Sequence, residues 1–129
     1  AKRVCKNNGK IFFAFISNDF VFLTELVYNP NYFGNGDYDN ETFRLNDFPF
    51  VFHTVDAARK ILADGDISIL HELASDGASE LLAERINEMS DEDYEQYLRY
   101  HFYICEKPEL LGMTNHLLFV GEKKIENRD

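Results

Sequence analysis

Four side chains in the second half of the sequence are of types that do acid–base or nucleophilic work: His101, Cys105, Glu106 and His116. Histidine titrates near neutral pH in its ordinary state, so His101 or His116 could take a proton from a reacting group as a general base. His101 and Cys105 lie one helical turn apart, a spacing at which an imidazole could draw the proton from a thiol. Mid-helix placement offers no turn to expose the sulfur and no oxyanion donors, so Cys105 reads as a packed thiol. Together the four have ligand types acceptable to a metal, but their spacing matches no zinc pattern. Asp91, Glu92, Asp93 and Glu95 lack the spacing and central glycine of a calcium loop and fit the solvated start of a helix. Asn18, Asp19 and Asn115 are polar residues set against apolar runs, where strand ends would hold them.

Those residues need elements to position them. Lys10 to Ile16 is a near-continuous apolar run of the kind buried on both faces of a parallel sheet, and is expected as a central strand. Before it, Ala1 to Lys6 reads as the last turn of a helix, stopped at Asn7-Asn8-Gly9 with Gly9 at positive φ. Ser17, Asn18 and Asp19 supply cap candidates for a short helix through Phe20, Leu23 and Val27, ending near Tyr28. Asn29 to Asn40 is a loop by composition, and Phe43 to His53, interrupted by Pro49, is either an edge strand or an ordered irregular segment. Thr54 caps a helix through Val55, Ala58, Ile61 and Leu62 that Gly65 ends, and Asp66 to Glu72 follows as a second strand ending at His71 and Glu72. Ser75-Asp76-Gly77 introduces a helix with Leu82, Ile86 and Met89 on one face. Ser90 caps another, with Tyr94, Tyr97, Leu98, His101 and Cys105 on one stripe. Leu117 to Val120 is the final strand, before a charged tail. Aromatic residues of the loop, Tyr28, Tyr32, Phe33, Tyr38 and Phe43, either line a pocket or cover a sheet edge. The order is α/β in type, yet three clear strands are fewer than a doubly wound sheet usually has, so the chain reads as part of such a fold.

The 129 residues, 45% apolar and 28% charged, suffice for a single folded domain over 1–129 and rule out a second one. Lys and Arg total 13 against 23 Asp and Glu, and the net charge of -10 would repel nucleic-acid phosphates; basic runs occur only at the two ends. Two distant cysteines make no disulfide framework, which points to reduced thiols in the cytoplasm. The longest apolar stretch, Ile11 to Ile16, is too short for a membrane span, and no leader pattern opens the sequence.

The stretch from Ala1 to Asn18, with Ala1, Arg3, Val4, Lys6 and Gly9 ahead of the apolar run, resembles the A-x-R-V-x-K-x-G-G-x-hydrophobic segment near the fifth strand of class I S-adenosylmethionine-dependent methyltransferases. One glycine of that pattern is Asn8 here. Ser75-Asp76-Gly77, Tyr100-His101 through Cys105-Glu106, and Asn115-His116-Leu117-Leu118 followed by Gly121 and Lys123 look like the closing segment of a bacterial branch of those enzymes. The Y-H-x-x-x-C-E and N-H-x-L pair is the more specific signal, and the likeness spans most of the chain.

The resemblance implies the C-terminal half of a seven-stranded Rossmann-like sheet, from the fifth strand to an antiparallel seventh, with a helical insertion before the last strand. Ligands of an open α/β sheet lie beyond the carboxyl ends of its parallel strands. An antiparallel last strand would start at that same rim, so the resemblance puts Asn18, Asp19, Asn115 and His116 there, with His101 and Glu106 entering from the insertion. His116 and His101 are then the general-base candidates, and Asn18, Asp19, Glu106 and Asn115 would orient a small-molecule methyl acceptor. Each also has a purely structural reading: Asn18 as a helix cap, His101 as a helix-to-sheet contact, His116 as a donor to a backbone carbonyl. S-adenosyl-L-methionine would be the cofactor of the full-length enzyme. The family grips it with a glycine-rich turn between a strand and a helix, and the G-x-G here, Gly34-Asn35-Gly36, follows Pro30 and precedes no periodic helix. No cofactor is therefore expected on this portion alone, and it is expected to be inactive alone and to self-associate through an exposed sheet edge. The competing expectation is a stand-alone acidic α/β module that engages a basic partner and has covered edges.

Overall fold

The apolar run after Gly9 forms β1, Lys10–Ser17, in the structure, a computed structural model that describes residues 1–47 and 49–124. Alternation along a strand sends Ile11, Phe13 and Phe15 to one face, where they join the core built on Ala58 and Leu62 of α2 (Val55–Asp64). The last strand, β4 (His116–Lys123), pairs antiparallel with β1 from Lys10↔Glu122 to Ile16↔His116. On its other side β4 pairs antiparallel with β3 (Ile67–Ala74), which carries a bulge between Ile69 and His71. A short β2 (Phe52–His53) pairs in parallel with Ile16 and Ser17, so the sheet order is β2-β1-β4-β3. The architecture is mixed α/β: a four-stranded mixed sheet with four α-helices among the described residues, the others being α1 (Asn18–Tyr28), α3 (Ala83–Asn87) and α4 (Asp91–Ile104). None of the helices is long and apolar enough to cross a membrane.

Because β4 is flanked by strands on both sides, its side chains are the best covered: Leu117 and Phe119 are fully buried against Ile67, Ala74 and Leu111. Gly121 is required here by space, since a Cβ would collide with Ile67 Cγ2 and come within 3.2 Å of Ser68 O. A second, smaller core lies beyond the ends of β1 and β2. Phe22 of α1 packs there with Tyr32 and Leu45, stacking on Phe33 with centroids 5.5 Å apart, while Tyr38 stacks on Phe43 at 5.8 Å. Tyr32, Phe33, Tyr38 and Phe43 thus pack on one another and on Phe22, while Tyr28 stays exposed.

Two of the expected caps form, with Thr54 Oγ1 accepting from the Ala57 N–H at 3.1 Å and Ser90 Oγ from Asp93 N–H at 3.2 Å, whereas α1 starts after Ser17 with no side-chain cap bond. Several expectations need correction. Residues 1–6 form turns and no helix, and Asn8, at φ 63, takes the left-handed conformation assigned to Gly9. Gly9 is there for space, because a Cβ would stand 2.6 Å from Cys5 Sγ. The segment 43–53 is irregular up to the two-residue β2, with residue 48 outside the described residues; the charged tail beyond 124 also lies outside them. β3 runs on to Ala74, so His71 and Glu72 sit mid-strand, where Glu72 accepts from Arg59 Nε of α2 at 2.6 Å. The helix expected after Gly77 shrinks to Ala83–Asn87, preceded by turns over 77–82, with Gly77 at φ 54 and its N–H donating to Thr114 Oγ1 at 3.0 Å.

Candidate functional site

β1 and β3 run parallel to each other and end at Ser17 and Ala74; the antiparallel β4 between them begins at His116, so all three meet at one rim. Backbone bonds close that edge: Ser17 N–H donates to Asn115 O at 2.8 Å and Ser75 N–H to His116 O at 3.0 Å. The residues flanking each closure are polar, and on the β3–β4 side Thr114 and His116 converge on Asp76.

Asp76 Oδ1 accepts from Thr114 Oγ1 at 2.5 Å and from the His116 N–H at 3.1 Å, and its Oδ2 lies 2.6 Å from His116 Nδ1. Burial acts to raise the Asp76 carboxyl, but the bonds from Thr114 and His116, with the His116 charge, outweigh it and hold the group below the usual carboxylate range. A carboxylate only accepts, so the shared proton belongs on Nδ1. In the neutral ring that leaves Nε2 of a half-exposed His116 with its lone pair available, the arrangement by which a carboxylate fixes the tautomer of a general base. Thr114 is fully buried and also takes the Asp76 and Gly77 N–H groups, so it locks the carboxylate's position.

Asn115 is buried beside this pair. Its Nδ2 donates to Glu80 Oε2 at 2.5 Å and its Oδ1 accepts from Thr24 Oγ1 of α1 at 3.3 Å, joining three segments at the rim. His101 of α4 lies against Gly77, where a Cβ would stand 3.3 Å from its Nδ1, so the absence of a side chain at 77 lets the ring approach the Asp76 turn. Asn18 is fully buried, and its amide clamps the second core: Nδ2 donates to Phe43 O at 2.7 Å and Asp19 Oδ1 at 3.1 Å, and Oδ1 accepts from Leu45 N–H at 2.9 Å. Asp19 is exposed at the start of α1. Glu106 pairs at 2.7 Å with Nδ1 of His71, which lies opposite Val120 in the sheet, four residues along β4 from His116. The fold therefore gathers His116, Asn115 and His101 and places Asn18, Asp19 and Glu106 in other hydrogen-bonded groups.

Cys105 is buried, and burial, with the Glu106 charge, pushes its thiol up, as suits a packed sulfur. No group of three or more His, Cys, Asp or Glu among the described residues is placed to hold a metal ion. Gly34 ends a 3-10 turn over Tyr32–Gly34 and Gly36 follows at φ 78, with neither a strand before them nor a helix after; these residues do not fit a nucleoside-gripping turn. Sequence reading missed two members of the site, Asp76 and Thr114. The available signal was a carboxylate directly before a glycine that must turn left-handed, and a hydroxyl two residues ahead of His116. His53, at the rim end of β2, has a buried Nδ1 without a hydrogen-bond partner among the described residues. No protein-family model matches the chain, and no match to it was found among curated proteins.

Proposed function

We propose that this chain is the C-terminal portion of a class I S-adenosylmethionine-dependent methyltransferase and forms its acceptor side. The observation that carries the reading is the Asp76–His116 pair at the rim where an antiparallel final strand meets the ends of two parallel ones. As the acceptor's oxygen or nitrogen turns nucleophilic, its proton passes to Nε2 of His116, and the imidazolium formed stays paired with Asp76. Catalysis otherwise rests on alignment of the acceptor. The methyl donor would be held by a portion outside this chain, and no step through it is assigned to residues here.

An open edge favours this reading over a self-contained acidic module. β1 is paired with β2 only at Ile16 and Ser17, which leaves the rest of that side without a strand among the described residues. Phe12, on the sheet face opposite the α2 core, is 66% exposed, so that face is also uncovered at this point among the described residues. The test is calorimetric and enzymatic. This chain should show no micromolar binding of S-adenosylmethionine, whereas the protein translated from the whole reading frame should bind it and methylate a member of a small-acceptor panel. A reading frame with no cofactor-gripping portion ahead of Ala1, or micromolar binding to this chain alone, would overturn the proposal.

A further inference from the structure

α4 leans over the end of β3 and leaves a cleft of about 250 Å³ between itself and the 74–82 turn. Ala78, Leu82, Tyr97, His101, Ile104 and Met113 are among its lining residues, and none of the described residues lining it is Lys, Arg, Asp or Glu. Three of the walls are rings, with Tyr100 as the third beside Tyr97 and His101. The floor begins at Gly77, next to the Asp76 carboxylate, and that charge adds to burial and Tyr94 in keeping the Tyr97 phenol protonated. Leu82, Tyr100 and Met113 are exposed at its mouth, so the cleft is open to a ligand.

We propose that this cleft binds a neutral, flat, largely apolar molecule of one or two fused rings bearing a single hydroxyl or amine. Size sets the ring count: a dry apolar cavity of about 150 Å³ accommodates benzene, so the larger volume here admits a fused pair. Charge sets the neutrality. An anion would find no cationic side chain on the walls and would meet the Asp76 field within a chain of net charge -10. A cation would have to be desolvated against apolar walls. Tyr97 and His101 supply the few polar tips that fix orientation in such a pocket. As an acceptor site the assignment rests on the methyl-transfer reading, because His116 lies outside the cleft lining and is tied to it through Asp76, next to Gly77; as a binding site it stands on the cleft alone.

The probe is 2-naphthol, titrated into this chain and followed by its own fluorescence, which is clear of protein emission because the sequence has no tryptophan. Saturable binding is expected with Kd of about 10–100 μM. Its anionic analogue 2-naphthoate should bind at least about tenfold more weakly, and so should 2-naphthol to Ala78→Phe, which fills the cleft. Should Ala78→Phe lose its far-UV circular dichroism, Leu82→Glu, at the exposed mouth, replaces it and should weaken 2-naphthol by a similar factor. Methyl resonances of Leu82, Ile104 and Met113 should move on binding. Equal binding of naphthol and naphthoate, indifference to both substitutions, or shifts centred on the Phe12 face would each refute the site. Naphthol binding without methyl transfer by the whole enzyme would leave the site and remove the functional reading; methyl transfer without naphthol binding would do the reverse.

Discussion

Replacing Asp76 with asparagine keeps the side chain's shape and removes its charge, which isolates what the carboxylate does at the rim. The amide oxygen at the Oδ1 position still accepts from Thr114 Oγ1 and from the His116 N–H. Its NH2 then faces His116 Nδ1 and needs an acceptor there, so the ring proton must move to Nε2. All three bonds to the carboxylate fall from charge-assisted to neutral strength, a loss of roughly 1 kcal/mol each, so Asp76→Asn should cost about 3 kcal/mol in urea unfolding at pH 7. The pH dependence has a defined sign. A carboxyl held below its ordinary value contributes stability that is complete above the unfolded-state pKa, about 3.9, and disappears as pH falls through the lower folded value. The gap between wild type and Asp76→Asn should therefore close on acidification below about pH 4. Nitrogen-15 shifts of the His116 ring should report the tautomer change directly. Equal urea midpoints at pH 7, a gap that persists in acid, or a ring proton still on Nδ1 in the variant would refute the Asp76–His116 argument.

Other consequences concern packing, reactivity and association. Gly121→Ala should destabilise the protein by about 3 kcal/mol, because its Cβ collides with Ile67 across the β3–β4 pair. Gly112→Ala, where nothing lies within 4 Å, should be nearly neutral, and comparable melting of the two would show the sheet is spaced otherwise. With a thiol reagent near neutral pH, Cys5 should be labelled well before the buried Cys105, whose thiol burial and Glu106 push up. Peptide mass mapping reads the order, and faster labelling of Cys105 would mean that α4 opens. Sedimentation should detect concentration-dependent self-association that Phe12→Glu suppresses; a monomer with either residue would mean the β1 surface is not sticky.

Features set within a few residues were legible before the fold. The Thr54 and Ser90 caps and the positions of the first and final strands appear where read, because caps and strand propensity act over one or two turns of chain. β1, expected to be buried on both faces of a parallel sheet, instead exposes Phe12 on one face and pairs at length only with the antiparallel β4. Where a local signal was ambiguous it misled. Ala1 to Lys6 has the composition of a helix end but forms turns, and residues 78–82, expected as helix, form turns ahead of Ala83–Asn87. Asn18, expected at the acceptor rim, holds Phe43 O and the Leu45 N–H of the second core with its amide.

Element order alone thus indicated an α/β chain with a packed Cys105, while the choice of His116 and His101 among the four histidines as base candidates rested on the methyltransferase resemblance. Which carboxylate serves which imidazole was a matter of tertiary structure. Asp76 and His116 are forty positions apart, and they meet only because β4 enters antiparallel between β1 and β3, with Ala74 opposite Leu117. Strand register is set by the burial of whole faces such as Leu117 and Phe119 against Ile67 and Ala74. A contact that depends on so many distant side chains at once leaves no mark in the few residues around either partner.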